Sequence, residues 1–137
     1  MIVYESMNLI LETTFQIPKI GAGRYKNQLV LMNNLPLWKR WGETRIKSEF
    51  KNTLKVWALE QSTLNAKVGT LEFQLIRHDR RRQDADSIAF EGKWFADLLV
   101  ELGYFEDDVG LTFVYRPVVY EPERVQPEVN VKVYSLE

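Results

Sequence analysis

Val68-Gly69-Thr70-Leu71-Glu72-Phe73-Gln74-Leu75-Ile76 is the stretch on which the fold turns. Leu71, Phe73 and Leu75 alternate with Glu72 and Gln74, the period of two expected of a strand. Directly after it comes Arg77-His78-Asp79-Arg80-Arg81-Arg82-Gln83-Asp84-Ala85-Asp86, too charged for a buried strand or a core helix. Phe95, Leu98, Leu99 and Leu102 then face inward on a helix, and Gly103 stands where a C-terminal cap is expected. Tyr104–Asp108 reads as a tight acidic loop.

Toward the C-terminus, Val109–Tyr120 and Val129–Tyr134 read as strands, the second alternating through Val129, Val131 and Val133. Glu121–Glu128, with Pro122 and Pro127, connects them. Toward the N-terminus, Asn65–Ala66 is a turn, preceded by a helix over about Pro36–Glu60. Asn33 and Asn34 are candidate caps, and Pro36 suits a first turn. Leu37, Trp38, Trp41, Ile46, Phe50, Leu54 and Trp57 recur at roughly helical spacing, which assigns these aromatic side chains to the core. Lys39, Arg40, Arg45, Lys47, Lys51 and Lys55 make the polar side basic. Farther back, Asn8–Ile17 suits a strand, Pro18 stops it, Lys19–Lys26 is a glycine-containing loop, and Gln28–Met32 is a candidate short strand. The order predicts an α+β fold: a mixed sheet covered by two main helices, in one domain spanning residues 1–137.

A chain of 137 residues, 45% of them hydrophobic, can bury a core without staples. Cysteine is absent, which excludes disulfides, thiol catalysis and cysteine-zinc sites. No apolar run approaches the ~20 residues of a membrane helix, and Met1–Asn8 lacks a signal-peptide pattern. A soluble cytoplasmic protein is the expectation. The net charge of −1 hides an asymmetry: residues 1–93 carry 15 Lys/Arg against 10 Asp/Glu, and residues 94–137 carry 3 against 9. Nucleic acid is bound by local basic surfaces, so a near-zero total does not argue against it.

Asp84 and Asp86 form a D-x-D pair. In an extended segment both carboxylates point to one face, where they repel unless a divalent cation sits between them. Mg²⁺ takes oxygen ligands and keeps several waters, so two or three carboxylates are enough. Taken alone, such a pair is most often a solvated loop. Asp107-Asp108 adds a second acidic pair, useful only if the fold returns it to the first. Arg80, Arg81 and Arg82 stand beside the first pair, and guanidinium groups match phosphate oxygens bidentately. A basic rim beside an acidic metal centre suits phosphodiester hydrolysis.

The run Asp79-Arg80-Arg81-Arg82-Gln83-Asp84-Ala85-Asp86, then Lys93 in a helix, then Gly103-Tyr104-Phe105-Glu106-Asp107-Asp108, resembles the RusA family of small Holliday-junction resolvases, common in phages and prophages. The likeness is strongest over Asp79–Asp108. It implies a homodimeric, Mg²⁺-dependent nuclease (Mn²⁺ is also admissible) that nicks opposed strands of four-way DNA junctions in a bacterial cytoplasm. Carried over by position, Asp84, Asp86 and Asp108 become metal-binding carboxylates, Lys93 a cation stabilising charge on the phosphate, and Asp107 a supporting residue. Arg77, Arg80, Arg81 and Arg82, with Lys19, Arg24 and Lys26 in the Pro18–Asn27 loop, become candidate DNA contacts. Two departures stand out. Ser87 occupies the place of the family's usual asparagine, and Lys93 falls seven residues after Asp86, three more than in the family. An extra bulge around Ser87–Gly92 would keep Lys93 in place. The alternative reading is a junction-binding protein of the same fold without nuclease activity.

Other signals are weaker. His78, the only histidine, is expected to be structural or solvent-facing. Gly21-Ala22-Gly23 lacks the strand and helix of a nucleotide fingerprint. Glu91 is either a surface residue or an extra carboxylate.

Overall fold

The stretch Gly69–Arg77 becomes β2, an interior strand of a four-stranded sheet ordered β1-β4-β2-β3, with β1 Asn8–Gln16, β3 Leu111–Tyr120 and β4 Glu128–Ser135. The computed structural model describes residues 7–20, 27–31, 43–59, 65–80 and 82–136. Two helices complete it: α1, Glu43–Leu59, and α2, Ala89–Glu101. β4 pairs antiparallel with both β1 and β2, whereas β2 and β3 are parallel. Parallel neighbours require a crossover, and α2 provides it. The fold is thus the expected mixed sheet with two helices.

The period-two pattern sorts the two sheet faces. Leu71, Val131 and Val133 are fully buried beneath the helices, as are Phe73 and Leu75. The opposite face carries Glu12, Lys132 and Glu72 in one register row. Glu72 is nonetheless buried and is paired with Arg116 of β3. Pro117 sits in β3, an edge strand where its missing N–H costs least. A register shift between Gln74 and Ile76 accommodates it.

Helix α1 places Ile46, Phe50 and Leu54 four residues apart on one buried stripe. The Phe50 ring meets Phe15 of β1 edge-on at 5.0 Å and tilts against Trp94 of α2 at 5.9 Å, joining three elements. Lys47–Asp97 (3.1 Å) and Lys51–Glu101 ion pairs link the two helices at the surface. The expected caps Asn33 and Asn34, together with Pro36, Leu37, Trp38 and Trp41, lie outside the described residues. The candidate strand at Gln28–Met32 is represented by a single bridge, Lys19 to Leu29, flanked by hydrogen bonds of the Ile20 and Val30 amides to the Gln28 and Pro18 carbonyls.

Gly103 ends α2 as its position predicts. Its φ is 83°, and the Tyr104 and Gly103 amides donate to the Leu99 and Val100 carbonyls, the paired bonds of a Schellman cap. The loop is then pinned beside Ala66, whose amide donates to the Tyr104 carbonyl and whose own carbonyl accepts from the Glu106 amide. Among the described residues no helix is long and apolar enough to cross a membrane.

Candidate active site

Asp84 has extended backbone and stands at the N-cap of a 3-10 turn, Ala85–Ile88, which leads directly into α2. The D-x-D pair is therefore not extended throughout. Asp86 lies within the turn, so the two carboxylates do not share a strand face in the way an extended segment would arrange. The turn is closed by the backbone, the Ser87 amide donating to the Asp84 carbonyl at 3.1 Å, and of the residues between Asp86 and Lys93 it takes up Ser87 and Ile88, the rest belonging to α2. The expected bulge around Ser87–Gly92 is absent: a 3-10 turn runs to Ile88, and the helix continues unbroken from Ala89 through Gly92. Ser87 is buried in the turn, and its hydroxyl has no hydrogen-bond partner among the described residues.

The parallel pairing decides where the second acidic pair goes. Asp84 and Asp86 follow the C-terminal end of β2, whereas Asp108 precedes the N-terminal end of β3. In a parallel pair those are opposite ends, and α2, ~20 Å long, runs between them. Accordingly, the described residues contain no group of three or more acidic or histidine side chains that could hold an ion. Asp107 accepts from the Val109 amide at 2.8 Å, an Asx-type turn bond that shapes the loop.

What the fold does bring together is Lys93 and Asp108. Both line a 280 Å³ pocket along the seam between α2 and β3, with Ala89, Ala96 and Asp97 on the helical side and Phe113 and Tyr115 on the strand. Lys93 is exposed, and no described residue pairs with it. Asp86 reaches the same seam electrostatically: burial foremost, and then the Asp86 and Glu91 charges, push the Tyr115 hydroxyl up to about 12. A larger cleft of 590 Å³ lies between β1 and α1, but of the candidate residues only Lys19 borders it. The acidic and basic groups of the motif single out the smaller one.

The basic residues divide. Arg80 and Arg82 are exposed beside the acidic turn. Arg77 is buried, donating to Asp79 and Gln83 at 2.9 Å each, so its guanidinium braces the arginine-rich loop from inside. Lys19 is exposed; Arg24, Lys26 and Arg81 lie outside the described residues. His78 is half-buried, its Nε2 3.8 Å from Asp79.

Two residues went unrecognised or undecided in the sequence. Tyr115 carries no motif, and nothing but its placement on β3 opposite Phe73 brings it to the pocket. Glu91 is fully buried, and neither carboxylate oxygen has a hydrogen-bond partner on another described residue. Burial pushes it up to about 8, against slight relief from its own backbone amide. Its inward position was legible: Ile88, Glu91, Phe95 and Leu98 follow the helical period.

No family model matches the chain, and no curated protein matches it. The resemblance to the RusA family therefore stands on the motif residues alone.

Proposed function

We propose that this protein is a structure-specific endodeoxyribonuclease of the RusA type, resolving four-way DNA junctions by paired nicks. The observation that carries the reading is the meeting of Lys93 and Asp108 on one pocket whose Tyr115 also feels Asp86. These residues come from a 3-10 turn, a helix, a loop and a strand, and the motif supplies three of them.

Asp84, Asp86 and Asp108 are exposed, and their oxygen donors suit a hard cation. Mg²⁺ or Mn²⁺ needs only one or two such ligands besides water, so Asp84 and Asp86 would hold it, while Asp108 stands at the other end of the seam and is left out of that ion's ligands. When bound, such an ion activates water and offsets charge on the phosphate. Lys93 supplies fixed positive charge where negative charge develops. Arg80 and Arg82 hold the flanking backbone. Homodimerisation gives two such sites for a nearly two-fold substrate and belongs to the same proposal.

The test is incubation with a labelled four-way junction and a matching linear duplex, with Mg²⁺ and with chelator. Symmetric, Mg²⁺-dependent nicking confined to the junction is expected. Asp86→Asn should abolish cleavage while sparing or strengthening junction binding; a variant that cuts at the parental rate would remove Asp86 from the site. One observation favours a second reading, junction binding without cleavage: among the described residues the three aspartates are not gathered into a cluster. That reading expects tight, structure-selective binding with no nicks in any divalent ion.

A further inference from the structure

The middle of the α2–β3 seam is held by Tyr115. It leaves β3 opposite Phe73, and the two rings lie 20° from parallel with centroids 5.6 Å apart. Phe73 is fully buried, so it fixes the plane of the tyrosine ring. The phenol then runs out against α2 at Gly92. A Cβ at that position would stand 2.9 Å from the hydroxyl oxygen and 3.2 Å from the Phe73 ring. The hydroxyl occupies this place because the helix has no side chain there. Ala89 and Ala96 keep the adjoining pocket wall low.

The hydroxyl makes no hydrogen bond to a described residue. Burial foremost, and then the Asp86 and Glu91 charges, keep it protonated far above neutrality. It is therefore a neutral O–H donor on a ring that lines a pocket also holding an exposed ammonium. The acceptor that would complete it is an anion, and the proposed reaction brings one.

We propose that Tyr115 donates its hydroxyl hydrogen bond to a non-bridging oxygen of the scissile phosphate, alongside Lys93. This rests on the nuclease reading above. The ring is held by Phe73 and Gly92 before the substrate arrives, so little reorganisation is needed as charge builds on the phosphate.

Tyr115→Phe removes one oxygen and keeps the Phe73 stack. Under saturating Mg²⁺ in single-turnover nicking of a four-way junction, the rate should fall on the order of a hundredfold, with junction affinity and melting temperature unchanged. Junctions carrying an Rp or an Sp phosphorothioate at the cut site locate the interaction. One diastereomer should slow the parent and shrink its advantage over Tyr115→Phe, whereas the other should preserve that advantage. An equal gap in both would overturn the phosphate hydrogen bond, and so would a Tyr115→Phe protein that nicks as fast as the parent; either leaves the resolvase reading standing. A parent that binds or ignores the junction without nicking it in Mg²⁺ or Mn²⁺ brings down both.

Discussion

Glu91 lies on the buried side of α2 with neither oxygen bonded to another described residue, and burial raises it from its ordinary 4.5 to about 8. The folded state therefore holds a proton there that the unfolded chain releases above pH 4.5. Below 4.5 both states are protonated and stability is unaffected. As pH rises from about 4.5 to about 8, this residue progressively lowers stability, and above 8 the loss levels off. Glu91→Gln, which cannot ionise, should flatten that slope in urea melts taken from pH 5 to 8. An unchanged slope would show that the carboxyl finds a partner. Arg77 offers a second test. Its guanidinium is committed to Asp79 and Gln83, so Arg77→Ala should cost ~1–3 kcal/mol of stability, whereas Arg82→Ala, on an exposed residue, should leave the urea midpoint where it is.

Among the elements, α1 is held by burial more than by charge. Phe50 bridges β1 and α2, and Phe50→Ala should cost about 3–5 kcal/mol. The Lys47–Asp97 pair is partly exposed, and Lys47→Ala should cost less than ~1 kcal/mol. Thermal melts of the two variants should differ accordingly. The loop that carries Asp108 is as tightly specified. At Gly110 a Cβ would meet the Lys67 carbonyl oxygen at 1.9 Å, a backbone atom that cannot swing away. Gly110→Ala should destabilise by about 3 kcal/mol and displace the start of β3. A melting temperature equal to the parent's would mean that the loop has another route past Lys67.

For the whole molecule, a net charge of −1 means that the proposed DNA binding must come from local surfaces. Arg80 and Arg82 are exposed beside the acidic turn, and if they bind phosphate as proposed, removing one should lower the slope of log affinity against log salt by about 1. Junction titrations of Arg82→Ala over a salt series would show it; an unaltered slope would take this arginine off the DNA. Arg77, turned inward, is expected to act through the loop it braces.

Alternation at Leu71, Phe73 and Leu75 and at Val129, Val131 and Val133, the stripe Ile46, Phe50 and Leu54, and the cap at Gly103 were all legible in the sequence, because each is a local consequence of backbone period or glycine freedom. They were enough for two helices on a mixed sheet. Which strands are neighbours was not legible, since pairing depends on contacts between distant residues. That choice decided the site: a parallel β2–β3 pair with α2 as crossover sends Asp86 and Asp108 to opposite ends of one seam. The same crossover sets Tyr115 against Gly92 and buries Glu91. Residue chemistry named the carboxylates, Lys93 and the arginines; only packing across the sheet decided which of them meet, because meeting is a property of distance in space and not of spacing along the chain.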